Sequence, residues 1–295
     1  MQQKQRTEII NLPAPSAQRF ADLAVLAESI GRDYCPNRRF DPAPILKDNK
    51  ITVSFGYYDS AFDGMLEHRG QRFHIYCNLD RVETATSPRA RFTMAHEFGH
   101  YFIDEHRNAL SSGRAPAHGS RSEFESSLPV EREADHFASH LLMPSGEFEK
   151  ITRLQKPGLP GILAIAKHFN TSVTSTAIRY VQSDLVPCIV VKWSPTEFQW
   201  QWVSTEPFRA RLRGVTKTLS SLPNDCSTRI ALSGAVSPPS GYFEAGTTTA
   251  SWFPFLNESD ARNVIMIEQA IQLGRFGVLT LLFPADFAHV PGYQR

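Results

Sequence analysis

The sequence predicts an α+β protein in three parts. Helices packed on a small twisted sheet fill residues 1–150, a helical, helix-turn-helix-like subdomain follows at 151–185, and a strand-rich C-terminal domain occupies 186–295. Three observations predict this. Apolar residues recur at helical spacing around 16–31, 88–105 and 129–144. Alternating hydrophobic runs fall at 51–78, 188–203 and 278–283. Between the two classes lies Lys156-Pro-Gly-Leu-Pro-Gly161, which reads as a hinge.

The first helix has Ser16 as cap, Phe20, Leu23, Leu26 and Ile30 as its apolar face, and Gly31 as terminator. A proline-bearing connection, residues 35–44, leads to a strand at 51–55 and a hairpin at 62–78. Ser87-Pro88 supplies an N-cap and a first-turn proline for the next helix, roughly 88 to 105, where Phe92, Ala95, Gly99, Phe102 and Ile103 recur. Met94, Phe98 and Tyr101 make its other sides apolar, so it is expected to be largely buried. Residues 106–121 form a polar stretch with no apolar periodicity, read as a disordered loop by default, with a lid or a substrate-sensing element as the functional alternatives. Another helix starts near Pro129. Residues 162–181 carry apolar residues on both sides of Asn170-Thr171-Ser172. A DNA-contacting version of that pair would use Arg179, but its few basic residues favour packing. The strand-rich remainder holds all four tryptophans, Trp193, Trp200, Trp202 and Trp252.

Composition adds bounds. With 41% hydrophobic residues in 295, the chain can bury a sizeable core. A formal charge of +1 gives no global field toward nucleic acid or membranes, so direct nucleic-acid binding is not expected. No signal peptide or membrane-length apolar run is visible, which predicts a soluble, cytoplasmic protein. Cys35, Cys77, Cys188 and Cys226 lack C-x-x-C pairing and read as reduced, mostly buried thiols.

The chemistry concentrates in His96-Glu97-Phe98-Gly99-His100. Histidines four apart on a helix point to one side, so His96 and His100 can grip one metal while Glu97 reaches the water it polarises. With 10 histidines in 295 residues, such a motif arises by chance on the order of a few per cent of the time. Its helical context argues against chance. Two histidines and a glutamate on a buried helix need partners, because unpaired polar groups in a core are unfavourable.

A hydrolytic zinc site wants three protein ligands and an open position. The helix from Pro129 offers Glu131, Glu133, Asp135, His136 and His140. Glu131 is chosen because it shares a face with Ala134, Ala138, Leu141 and Leu142, the residues suited to press against the motif helix. Glu133 points about 200° away around the helix. Asp135, one turn on, can accept the free ring N–H of a ligand histidine. His136 and His140 read as a solvated flank. His106 and His118 have no useful ligand spacing.

The pairing of T-M-A-H-E-F-G-H-Y-F at 93–102 with E-R-E-A-D-H-F-A-S-H-L-L-M-P at 131–144 resembles the ImmA/IrrE metallo-endopeptidase family. The similarity extends upstream to Phe62–Leu66 and Phe73–Asn78, and downstream to Leu163–Val173 and Ala177–Tyr180, covering about residues 17 to 185. It implies a zincin-like catalytic domain and a cytoplasmic bacterial or phage peptidase, zinc-dependent with manganese also compatible. The implied partner is a protein substrate, commonly a helix-turn-helix transcriptional repressor. In such peptidases an exposed sheet edge holds the substrate extended, and Met65, Leu66, Glu67 and His68 are the candidate edge here. Tyr180 or His168 is a candidate donor to the tetrahedral oxyanion. Residues 186–295 would then be a partner-binding or sensor module. Two other readings stand beside the peptidase: a catalytically silent partner-binding regulator or antitoxin-like protein on the same fold, and a DNA-binding regulator.

Overall fold

The Ser16 hydroxyl accepts the Arg19 N–H at 3.1 Å and starts α1 (Ala17–Tyr34), the N-cap its position foretells. The computed structural model describes residues 15–35, 40–117, 119–121, 128–204, 222–253 and 265–286; part of the 35–44 connection, His118 and the end of the stretch before Pro129 lie outside them. Two compact units divide the chain, Met1–Ser145 and Gly146–Arg295.

In the first unit α1 runs on through Gly31, where the sequence suggested a stop. Gly31 is buried, and a Cβ there would meet Leu141 Cδ1 at 3.6 Å. Packing of α1 against the later helix that bears Leu141 thus carries α1 across a residue of poor propensity. After α2 (Pro42–Asp48) come β1 (Thr52–Gly56), β2 (Gly64–Arg69) and β3 (Arg72–Asn78). They form a three-stranded sheet with β3 central, parallel to β1 and antiparallel to β2, which leaves β2 at an edge. Leu66 and its register partner Ile75 face the core. The approach to β2 is pinned by Asp63, a fully buried carboxylate bonded by Arg81 at 2.7 Å and Arg89 at 2.9 Å. Burial disfavours that charge, and the two guanidiniums outweigh it, holding the carboxyl below its ordinary range.

A short helix α3 (Leu79–Val82) leads into α4 (Pro88–Phe102), capped by the Ser87 hydroxyl on the Ala90 N–H at 3.1 Å. The single helix expected to 105 is split. Ile103, only 1% exposed, adopts an extended conformation, and a second helix α5 (Asp104–Ser111) follows with two acids in its first turn. The start of the expected loop at 106 is therefore helical. Polarity hid it, since α5 buries only His106 and Leu110.

From Pro129, α6 (Pro129–Leu142) packs on α4. An added Cβ on Gly99 would lie 3.0 Å from Ala134 Cα and 3.2 Å from its carbonyl oxygen. The two helices cross where neither has a large side chain. Gly99→Val should therefore overpack the crossing and lower stability by about 1–3 kcal/mol, read as a drop in Tm.

The second unit contains α7 (Ser145–Arg153) from its second residue, α8 (Leu159–Phe169), α9 (Val173–Gln182) and a five-stranded antiparallel sheet. Its strands are β4 (Ile189–Trp193), β5 (Phe198–Val203), β6 (Phe243–Thr248), β7 (Ile265–Gln272) and β8 (Val278–Pro284), in the order β5-β4-β8-β7-β6. One face buries Trp193, Trp252, Phe253 and Met266. The hinge expected at 156–161 is instead pinned: the Leu159 N–H donates to Gln269 Oε1 at 2.6 Å, and Gly158, at φ 116°, leaves no room for a Cβ beside that amide. Thus α8 is tied to β7. Arg179 on α9 is buried, its guanidinium 5.3 Å from the Phe148 ring centre, so it packs rather than facing a phosphate. These ties predict that a chain ended near Asp184 strands α8 and loses soluble yield. A chain ended after Ser145 should keep its helical circular dichroism and its metal uptake, because the candidate ligands all precede that point.

Candidate metal centre

One turn apart on α4, His96 and His100 place their Nε2 atoms 3.1 Å from each other. Glu131, in the first turn of α6, brings Oε2 to 3.2 Å from His96 Nε2 and Oε1 to 3.4 Å from His100 Nε2. One donor atom from each of the three residues falls within 4.8 Å of the others, and all three side chains are buried. The Gly99–Ala134 crossing is what brings them together, since it sets α6 close enough for Glu131 to reach both imidazoles.

Three buried carboxylates, Glu97, Glu131 and Asp135, share this region with the buried imidazoles of His96, His100 and His106. Imidazole nitrogens and a carboxylate converging in this way form a donor set that fits a divalent cation. The carboxylates beside His96 pull in the same direction. Burial opposes a proton there, but hydrogen bonds to Asp135 and Glu131 outweigh it and raise the pKa well above the ordinary histidine value.

Asp135 Oδ1 lies 2.8 Å from His96 Nδ1. A proton on Nδ1 then leaves the Nε2 lone pair aimed at the site. Glu133, the rejected alternative, faces elsewhere: it pairs with Arg19 of α1 at 2.8 Å and with His106 Nε2 at 3.3 Å. Those two partners overcome the burial penalty and hold its pKa at about 2.

His106 was passed over for lack of ligand spacing, yet it stands against the site. Its Nδ1 is 3.2 Å from His100 Nδ1. The helix breaks at Ile103 before His106, and no sequence periodicity announces that break. Burial lowers the His106 pKa below its ordinary value, against the opposing hydrogen bond to Glu133. His140, expected on a solvated flank, is instead 5% exposed and bonded to Glu28 at 3.2 Å, while His136 Nε2 lies 2.9 Å from the Phe20 carbonyl oxygen. The reason is α1, which covers that side of α6.

Glu97 meets two groups that sequence reading missed. The buried Ser120 hydroxyl contacts Glu97 Oε1 and lies 3.0 Å from the Gly64 carbonyl oxygen. A Cβ on Gly64 would fall 2.6 Å from Glu97 Oε1 and 2.5 Å from Thr93 Cγ2, so only glycine lets β2 begin this close to the acid. Ser120 also pairs its backbone with Gly64, N–H to carbonyl at 2.8 Å. Met65, Leu66, Glu67 and His68 continue the strand from there along the sheet edge, with Glu67 accepting the Tyr76 hydroxyl at 2.9 Å. His168 and Tyr180 both lie in the second unit. There His168 pairs with Glu147 at 2.9 Å, and Tyr180 is buried on α9.

All four cysteines are free and buried. Burial pushes the Cys77 thiol up to about 12 and Cys226 to about 11, so neither is a nucleophile at neutral pH.

Residues 82–180 match the family model for Peptidase_M78, the IrrE N-terminal-like domain. This metallopeptidase-family domain supports the ImmA/IrrE assignment, and its span includes all three candidate ligands. A solved transcriptional regulator of Mycobacterium tuberculosis is similar at 12% identity and a TM-score of 0.54, over 92% of this chain and 80% of that one. At that identity the likeness shows a shared fold. No curated protein matches the chain. No described helix is long and apolar enough to cross a membrane.

Proposed function

We propose that this protein is a zinc-dependent endopeptidase of zincin-like architecture that cleaves a regulatory protein, a helix-turn-helix repressor, in the cytoplasm. The observation that carries the reading is the buried His96, His100 and Glu131 set with Glu97 in the same helix turn. Manganese suits the same donors.

A bound divalent ion would supply Lewis acidity, acidifying the attacking water and polarising the scissile carbonyl. Glu97 takes the proton from that water and delivers it to the leaving amine. Asp135 keeps His96 in the tautomer that presents Nε2. The edge of β2 aligns the substrate by main-chain hydrogen bonds along Met65–His68, ending beside Glu97 at Gly64. In this reading residues 186–295 select the partner or respond to a signal.

The test is to incubate the purified protein with the repressor-like product of a neighbouring gene. Cleavage should stop on chelation and return with added zinc. A substrate cut equally well after complete metal removal would sink the proposal.

A further inference from the structure

We propose that His106 is a positioning residue for the metal centre, orienting the ligand imidazole of His100 through a relay to Glu133 and Arg19. The inference rests on the metal-centre reading above and extends it to three residues that bind no ion themselves.

The argument is one of hydrogen counting. A histidine that lends its Nε2 lone pair to a cation must carry its hydrogen on Nδ1. His100 Nδ1 faces His106 Nδ1 at 3.2 Å, and two nitrogens at that distance share one hydrogen. His100 therefore donates and His106 accepts. The His106 hydrogen then sits on Nε2, which lies within ion-pair distance of Glu133 Oε2, 3.3 Å away. Glu133 accepts in turn from Arg19 Nε at 3.1 Å and Nη2 at 2.8 Å. Arg19 is itself set by Glu105 Oε2 at 3.1 Å, one residue before His106. Every hydrogen has one place to go, and the chain ends on a carboxylate clamped by a guanidinium.

The two ligand histidines are thus treated alike. Asp135 accepts directly from His96 Nδ1 at 2.8 Å, whereas Glu133 acts on His100 through an intervening imidazole. Partners of this kind fix the tautomer and ring direction of a metal-bound histidine and raise its basicity, and losing one typically lowers metal affinity by about 10–100-fold. His106 and Glu133 are little exposed, at 8% for His106 overall and 13% for the Glu133 side chain, so water does not readily replace them.

The experiment uses the full chain and the metal alone. Zinc affinity is measured by competition with a chromophoric chelator, and the cobalt-substituted protein is read by its visible absorption, which reports ligand geometry. His106→Ala should bind zinc about 10–100-fold more weakly and alter the cobalt spectrum. His106→Gln, whose amide oxygen can accept from His100 Nδ1–H, should recover most of the affinity. Circular dichroism melts show that each variant is folded. Zinc affinity within about two-fold of the parent and an unchanged cobalt spectrum in His106→Ala would overturn the proposal, because the expected loss is at least about ten-fold. So would equal losses in the alanine and glutamine variants, which would mean the ring serves only as packing volume. A loss as large as that of His100→Ala would make His106 a ligand and overturn it as well. If the unaltered protein takes up neither ion, the metal-centre reading itself falls, a result separate from the other three.

Discussion

Glu97→Gln is expected to reduce cleavage by about 10²–10⁴-fold, the range associated with losing a general acid–base group, while metal content stays at the parent level. The separation of the two effects follows from geometry. The three candidate ligands are His96, His100 and Glu131, whereas Glu97 Oε1 faces Ser120 and Gly64 at the start of β2. Glutamine keeps an oxygen that can accept from the Ser120 hydroxyl, so the helix and its contact with the sheet edge should persist. What it lacks is the basic carboxylate. The measurement pairs elemental analysis with a cleavage time course. Retained full activity would remove Glu97 from the mechanism, and loss of metal would place it among the ligands.

The second large effect concerns Glu131. Replacing it by glutamine removes the anionic donor that lies within 3.4 Å of both histidine Nε2 atoms. Zinc affinity should fall by more than about 100-fold, beyond the range seen when an outer partner is lost. Glu133→Gln should cost far less, because its amide oxygen still accepts from His106 Nε2 and the residue faces Arg19 rather than the ligand set. Elemental analysis after gel filtration distinguishes the two. A reversed order would move the third ligand to Glu133 and contradict the orientation of α6.

Much of this centre was legible because helical periodicity is a local property. The i, i+4 spacing of His96 and His100 needs nothing but a helix, and Ser87-Pro88 and Pro129 mark where the helices begin. Choosing Glu131 over Glu133 required only knowing which face of α6 is small and apolar. Asp135 followed from the same wheel, one turn along. The edge position of Met65–His68 agrees with the topology, since β2 pairs with β3 on one side, and the outer bridge to Ser120 touches only Gly64 among the described residues.

Other features depend on contacts between distant segments. The polarity of α5 masked it, and it is separated from α4 by Ile103, buried in an extended conformation. His106 could not be placed before that break was known. Its partner Glu133 lies 27 positions later (133 − 106), and the Arg19 that pairs with Glu133 lies 87 positions earlier (106 − 19). β7 was hidden because Glu268 and Gln269 interrupt its hydrophobic run; Glu268 accepts the Thr228 N–H at 2.7 Å and Gln269 the Leu159 N–H at 2.6 Å, so both are buried with partners the local sequence does not name. By itself the sequence determined the helix faces and singled out His96, His100, Glu131 and Glu97 as candidates, from spacing within α4 and within α6. Only the tertiary structure decided the contact of His106 on His100, the Ser120 contact on Glu97 and the attachment of α8 to β7, because a buried polar group is satisfied by whatever the fold brings to it, at any distance along the chain.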